Sequence, residues 1–263
     1  MPSSLVVITG QSNATGLEPC LSAGAMQINT QVKSWQPSDG SQYTPPYAFF
    51  VCDPQRSFTY INFLPLFGTV GGYRTAGLYF GNPVGHMGWA CANFAQQQEQ
   101  NTMYMVSICQ GAAGISQWGD GELIEELLAT EIPLAIAAIE AETGDVLAGP
   151  DLVIWMQGET NATDSLGQYM PGAAYAEALG TFKTLAESKW AVAGTTKWAI
   201  CDFVQGFAPG WDGLTLFVAG QGSDVQFIDS VGTTTTDGVH YAGDSTNEMG
   251  KRAAYQRYRT LAE

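Results

Sequence analysis

Five short apolar runs, each interrupted by a polar turn, constrain this chain more than anything else in it. They fall at 5–8, 103–108, 151–156, 197–201 and 225–228. Valine, isoleucine, methionine and tryptophan fill them with little polar alternation, the pattern of strands buried on both faces. Stretches of helical periodicity lie between them. Residues 86–100 put Met87, Ala90, Cys91, Phe94 and Ala95 on one face. A second helix is expected over 120–142, with Asp120 as candidate N-cap, Pro133 as a kink or restart and Gly144 as the stop. A third covers 172–188, and Ser245 with Glu248 has capping-box spacing at the start of a terminal helix. Strand alternating with helix implies the α/β class, a three-layer α/β/α sandwich around a central, mostly parallel sheet. Without repeats, low-complexity tracts or linkers, the 263 residues read as one domain spanning 1–263.

One segment departs from this rhythm. Residues 17–84 carry Trp35, Tyr47, Phe49, Phe50, Phe63 and Phe67 among prolines and glycines, without helical periodicity. They read as an aromatic-rich insertion of loops and short hairpins. Its rings either pack a small core of their own or stack on sugar faces beside a cleft. Residues 205–223, with Trp211, read as a second such loop.

Charge narrows the partners. A formal net charge of −15, with ten Lys and Arg in no cluster, leaves nothing to bind nucleic acid or an anionic membrane surface. No apolar run is long enough to span a membrane. Only 13% of residues are charged, which suits a neutral, hydroxyl-rich ligand such as a sugar. Five scattered cysteines (Cys20, Cys52, Cys91, Cys109 and Cys201) with no Cys-x-x-Cys spacing read as reduced, buried residues. Two histidines, His86 and His240, exclude a His-rich metal centre, and no metal or other cofactor is expected. Met1-Pro2-Ser3-Ser4 lacks the basic start of a signal peptide.

The polar turns carry the chemistry. The first strand breaks into Gly10-Gln11-Ser12-Asn13-Ala14-Thr15-Gly16, and Ser12 is either a cap or an exposed nucleophile. A parallel sheet sends all its strand C-termini to one edge. The turns at 10–16, 110–118 and 157–161 should therefore meet there, with the loop that holds Asp237 and His240. In an Asp-x-x-His loop the carboxylate can accept from imidazole Nδ1–H, leaving Nε2 to take a proton from a serine hydroxyl. The serine then attacks a carbonyl and forms an acyl-enzyme.

Four blocks in order, covering almost the whole chain, resemble the SGNH hydrolase superfamily and its sialate O-acetylesterase-like carbohydrate acetylesterase branch. They are Gly10-Gln11-Ser12-Asn13, Gly111 to Trp118, Gln157-Gly158-Glu159, and Asp237-Gly238-Val239-His240. The second departs from the usual Gly-Gly-Thr-Ser by reading Gly-Ala-Ala-Gly. The resemblance implies a flavodoxin-like α/β/α fold and removal of O-acetyl groups from a carbohydrate. Ser12, Asp237 and His240 would be catalytic, and the N–H groups of Ser12 and Gly111 would form an oxyanion hole. Its third donor would come from Gln157, or from Asn161 at a looser register. Gln11, Glu159, Asn161, His86 and Trp118 are supporting or substrate-lining candidates, Glu159 as a bracket for the Ser12 turn. Another SGNH reaction, on lipid or thioester, and a silent carbohydrate-binding module are the alternatives. The expected partner is an acetylated glycan, and the expected setting is cytoplasmic or virion-associated, as in phage tail modules of this branch.

Overall fold

The computed structural model describes residues 3–15, 32–36, 50–53, 56–60, 72–75, 87–99, 102–235 and 237–258. Its main sheet contains β1 (Ser4–Gly10), β2 (Val32–Gln36), β5 (Gly72–Thr75), β6 (Met103–Cys109), β7 (Leu152–Met156), β8 (Lys197–Cys201) and β9 (Val225–Ile228). Across the sheet they run in the order β5-β2-β6-β1-β7-β8-β9. Each adjacent pair is parallel except β2 and β5, which close one edge antiparallel. A separate antiparallel hairpin joins β3 (Phe50–Asp53) to β4 (Arg56–Tyr60). The segment read as an insertion of loops and hairpins thus contributes this hairpin and also two strands of the main sheet. Most of its aromatic residues lie outside the described residues.

Period-two geometry explains how such apolar strands are used on both sides. Leu5, Val7, Tyr104, Val106, Val153 and Trp155 face one layer, built on α3 (Leu123–Thr143), α5 (Gly172–Lys189) and α6 (Gly213–Ala219). Val6, Ile8, Met103, Met105, Ile154 and Met156 face the other, built on α2 (Met87–Glu99) and α7 (Gly243–Tyr258). The first layer is aromatic. Trp155 meets Trp118 edge-on at 5.2 Å and Phe182 at 5.1 Å between ring centroids. The second is filled by methionine, cysteine and alanine, and Cys91, Cys109 and Cys201 are free and buried there. No helix among the described residues is long and apolar enough to cross a membrane.

Local expectations fail where a tertiary partner outbids a local signal. Helix α3 starts at Leu123, and Asp120 is no N-cap but an ion-pair partner of Lys189 at 3.0 Å. Pro133 does not restart the helix, which runs unbroken from Leu123 to Thr143. The buried face of Ile124, Leu128, Ile132, Ala135 and Ile139 runs past it on both sides, and this burial offsets the lost hydrogen bond. Ser245 caps nothing, because α7 begins two residues earlier and Ser245 Oγ accepts the Thr234 N–H at 2.9 Å. The 205–223 loop contains α6, too short to show periodicity, held by buried Leu214 and Phe217.

Candidate active site

The stretch β6-β1-β7-β8-β9 has the order 2-1-3-4-5 of a doubly wound sheet, whose ligand crevice opens at the strand C-termini where the order reverses. That point lies between β1 and β7. Gly10 ends β1 there with φ +152°, and a Cβ on it would lie 2.0 Å from the Met156 carbonyl oxygen. Only glycine lets the two strand ends close to this distance. The Gln11 N–H donates to Met156 O at 2.9 Å on one side, and the Gln110 N–H donates to Gly10 O at 2.9 Å on the other. The first turn is thus pinned to both neighbouring strands, and Ser12 opens the short helix α1 (Ser12–Thr15) from it.

The chain's last loop reaches this turn. His240 Nε2 lies 2.9 Å from Ser12 Oγ, and His240 Nδ1 lies 2.6 Å from Asp237 Oδ2. An ionised carboxylate can only accept, so Nδ1 carries the proton and Nε2 is left to accept the serine hydroxyl. Asp237 Oδ1 also accepts the N–H groups of Val239 and His240 at 2.8 and 2.7 Å. Partial burial pushes the Asp237 carboxyl up, but these donors and the imidazole outweigh it and hold the group down at about 2. The acid is ionised at any ordinary pH.

Asn13 joins the two pieces, a role not read from the sequence. Its Oδ1 accepts the Tyr241 N–H at 2.9 Å, and its Nδ2 donates to Val239 O at 3.1 Å and to Glu159 Oε1 at 2.7 Å. Glu159 belongs to α4 (Glu159–Ala162) and is 2% exposed. Burial raises its carboxyl to about 7, against the lowering effects of Asn13 and His240. Tyr241 locks the loop from behind, its hydroxyl donating to Asp202 O at 2.9 Å. The only signal for Asn13 was its place beside Ser12.

The remaining candidates separate into a rim and an anchor. Gly111 is partly exposed, and its N–H engages no acceptor among the described residues. Gln157 is wholly buried, and both ends of its amide are engaged inside the protein. Nε2 donates to Ala113 O at 3.0 Å and Asn161 Oδ1 at 2.9 Å, and lies 3.3 Å from Gln11 Oε1. Its Oε1 faces the Tyr175 hydroxyl at 2.8 Å. Asn161 accepts the Ile115 N–H at 2.9 Å and donates to Gln168 O at 2.9 Å. Gln157, Asn161 and Gln11 therefore tie the 111–118 turn to β1 and β7 from beneath. Trp118 is fully buried, with Nε1 donating to Thr9 Oγ1 at 2.9 Å, and packs as a core residue. His86 lies outside the described residues. Among the described residues no cluster of His, Cys, Asp and Glu could hold a metal ion.

No protein-family model matches the sequence, and comparison with curated proteins gives no match. Solved structures do share its fold. A protein from Arabidopsis thaliana superposes with a TM-score of 0.64 over 99% of both chains at 16% identity. NanS gives 0.58 over 99% of this chain and 97% of its own, at 12% identity. A carbohydrate acetylesterase from Xanthomonas citri gives 0.57 at 17% identity, with 96% of this chain matched to 55% of that one. At such identities the likeness is one of fold. That shared fold is an α/β/α sandwich around a mostly parallel sheet.

Proposed function

We propose that the protein is a serine esterase that removes O-acetyl groups from carbohydrate through an acyl-enzyme on Ser12. The alignment of Asp237, His240 and Ser12 at 2.6 and 2.9 Å carries this reading. The likeness of the fold to that of an acetylesterase for carbohydrates is consistent with it. His240 takes the Ser12 proton as Oγ attacks the acetyl carbonyl carbon, and Asp237 stabilises the imidazolium. The N–H groups of Ser12 and Gly111 face the developing oxyanion, a contribution on the order of 3 kcal/mol per donor. Gln157 acts as the anchor of the Gly111 turn, since its own amide is already engaged. The tetrahedral intermediate collapses as the bond to the sugar oxygen breaks and the imidazolium protonates that oxygen, releasing the sugar hydroxyl. Water, activated by the same imidazole, then releases acetate and restores Ser12.

Charge favours a neutral sugar. None of the turns 10–16, 110–118, 157–171, 202–212 and 229–241 contains a lysine or arginine to meet a sugar carboxylate. Acetylated neutral polysaccharides should therefore be deacetylated in preference to O-acetylated sialic or uronic acids. Acetate release from p-nitrophenyl acetate and from an acetylated xylan tests the assignment. Ser12→Ala should abolish both while its thermal unfolding stays that of the unsubstituted protein. Turnover retained by this variant would remove the serine mechanism, and faster cleavage of octanoyl than of acetyl esters would make the protein a lipase instead.

A further inference from the structure

Both amide hydrogens of Asn13 are committed. Tyr241 N–H and Val239 C=O fix which end of its amide is oxygen and which is nitrogen, so its second N–H must point at Glu159. Glu159 Oε1 accepts it, and Oε2 is buried with no hydrogen-bond partner among the described residues. A bracket needed only for shape would be served by a glutamine, whose amide oxygen accepts equally well. Retaining a buried carboxyl with one oxygen unsatisfied costs stability, which points to a use for the charge. Asp237, by contrast, has a side chain that is 47% exposed, so solvent screens its charge.

From this arrangement we infer that Glu159 is a positioning residue whose negative charge, buried behind Asn13, favours the imidazolium that His240 becomes when it deprotonates Ser12. This rests on the esterase reading of the site. Asn13 is the mechanical link, because the same amide holds Glu159, Val239 and Tyr241. The ionisable groups that interact with Glu159 are His240, Tyr241, Tyr175 from α5 and Cys201 from β8. Asp237 and Asp202 lie beyond them, against His240 and Tyr241. Burial raises the two phenols and the thiol, so they stay neutral, and His240 is the neighbour whose charge changes during turnover. Glu159 itself loses its proton near neutrality, so the charge is present on the alkaline side and absent on the acid side.

Kinetics of the full chain on p-nitrophenyl acetate tests this with Glu159→Gln, which keeps the acceptor and removes the charge. At pH 8 kcat should fall about tenfold, the equivalent of one pK unit of differential interaction with the imidazolium. The acid limb of kcat/KM should change from two ionisations to one and move to lower pH, as His240 loses its anionic neighbour. Stability should respond in the opposite sense. The folded state holds the Glu159 proton up to about 7, against an ordinary value of 4.5, so stability declines as pH rises through that window. Removing the carboxyl should therefore raise the thermal midpoint at pH 8, whereas loss of a merely structural contact would lower it. Wild-type kcat with an unchanged acid limb in Glu159→Gln overturns the inference, even where Ser12→Ala is inactive. Turnover by Ser12→Ala instead overturns the esterase reading itself. If Glu159→Gln does not fold, carboxyl carbon NMR on the unsubstituted protein decides. One glutamate titrating near 7 supports the inference, and all glutamates titrating below about pH 6 overturn it.

Discussion

Ser12 is 8% exposed and stands on a turn tied by main-chain hydrogen bonds to a strand on either side, whereas Asp237 and His240 stand on a loop that braces itself. The loop's bonds run from Asp237 Oδ1 to the next two N–H groups, and from Thr235 Oγ1 to the Gly238 N–H at 2.8 Å. One side inherits its position from the sheet, and the other adds bonds of its own to the anchors that Asn13 and Tyr241 supply. The division suits the proposed chemistry. A nucleophile must be held still, while an imidazole that takes and returns a proton works best partly open to water, and its side chain here is 25% exposed. Damage to the main-chain supports of the Ser12 turn should therefore appear first as lost folding, and damage to the loop's carboxylate and imidazole as lost catalysis.

Asp237→Asn should give the largest effect and leave the fold alone. The new amide would present Nδ2–H to His240 Nδ1, forcing the proton onto Nε2 and removing the acceptor for Ser12. A fall of about 10⁴ in kcat is expected, with only a modest drop in the unfolding midpoint at pH 7, since the half-exposed carboxylate's contribution is lost with its charge. A large loss of stability in this variant would erase the contrast between the two sides. Acid should reproduce part of the effect. The Asp237 carboxyl is held near 2 in the folded protein, so its contribution to stability is complete above the ordinary carboxylate range and lost only as pH falls toward 2.

The same chemical change on each side sharpens the point. Gly10→Ala and Gly238→Ala both add a Cβ at a positive φ, +152° and +87°. At Gly10 the Cβ meets the Met156 carbonyl at 2.0 Å, and at Gly238 it meets nothing within 4 Å. Gly10→Ala should cost more than about 4 kcal/mol, because strain and a backbone clash add. Gly238→Ala should cost about 1–2 kcal/mol, the penalty of the left-handed conformation alone. Urea midpoints of the two variants measure the difference, and equal costs would mean that the sheet does not hold the Ser12 turn as described.

The sequence disclosed these two sides unequally. Strands with no polar alternation announced a sheet covered on both faces, and the turn beginning at Gly10 followed from a strand that stopped abruptly at glycine. The spacing of Asp237 and His240 disclosed their pairing because the contact is local, three residues apart. Contacts across the chain were not legible. Asn13 gains its role from Val239 and Tyr241, 226 and 228 residues away, and no local pattern encodes that distance. Gln157 looked like an oxyanion donor by its place at a strand end. Only the packing of Tyr175, Ala113 and Asn161 around it shows its amide turned inward. Trp118 likewise gave no sign in one dimension that Thr9 holds it in the core.

Ala112 makes the finest probe of the comparison, because it stands on an exposed turn beside Gly111, whose N–H the proposed chemistry uses. It has φ +58° in an exposed turn, one of two non-glycine residues with positive φ among the described residues, and follows Gly111 directly. A left-handed alanine costs about 1–2 kcal/mol, and glycine's greater freedom in the unfolded chain returns about half of that. Ala112→Gly should thus stabilise the protein by about 1 kcal/mol, a rise of about 2–4 °C in thermal midpoint for a chain of this size. If the strained alanine stiffens the turn that aims the Gly111 N–H, kcat should fall about two- to fivefold while the protein becomes more stable, since strain at a functional turn trades stability for position. A lower midpoint would show that the turn is not strained at Ala112. A higher midpoint with undiminished kcat would show that the anchor of Gln157 and Asn161 sets the Gly111 position without help from its neighbour.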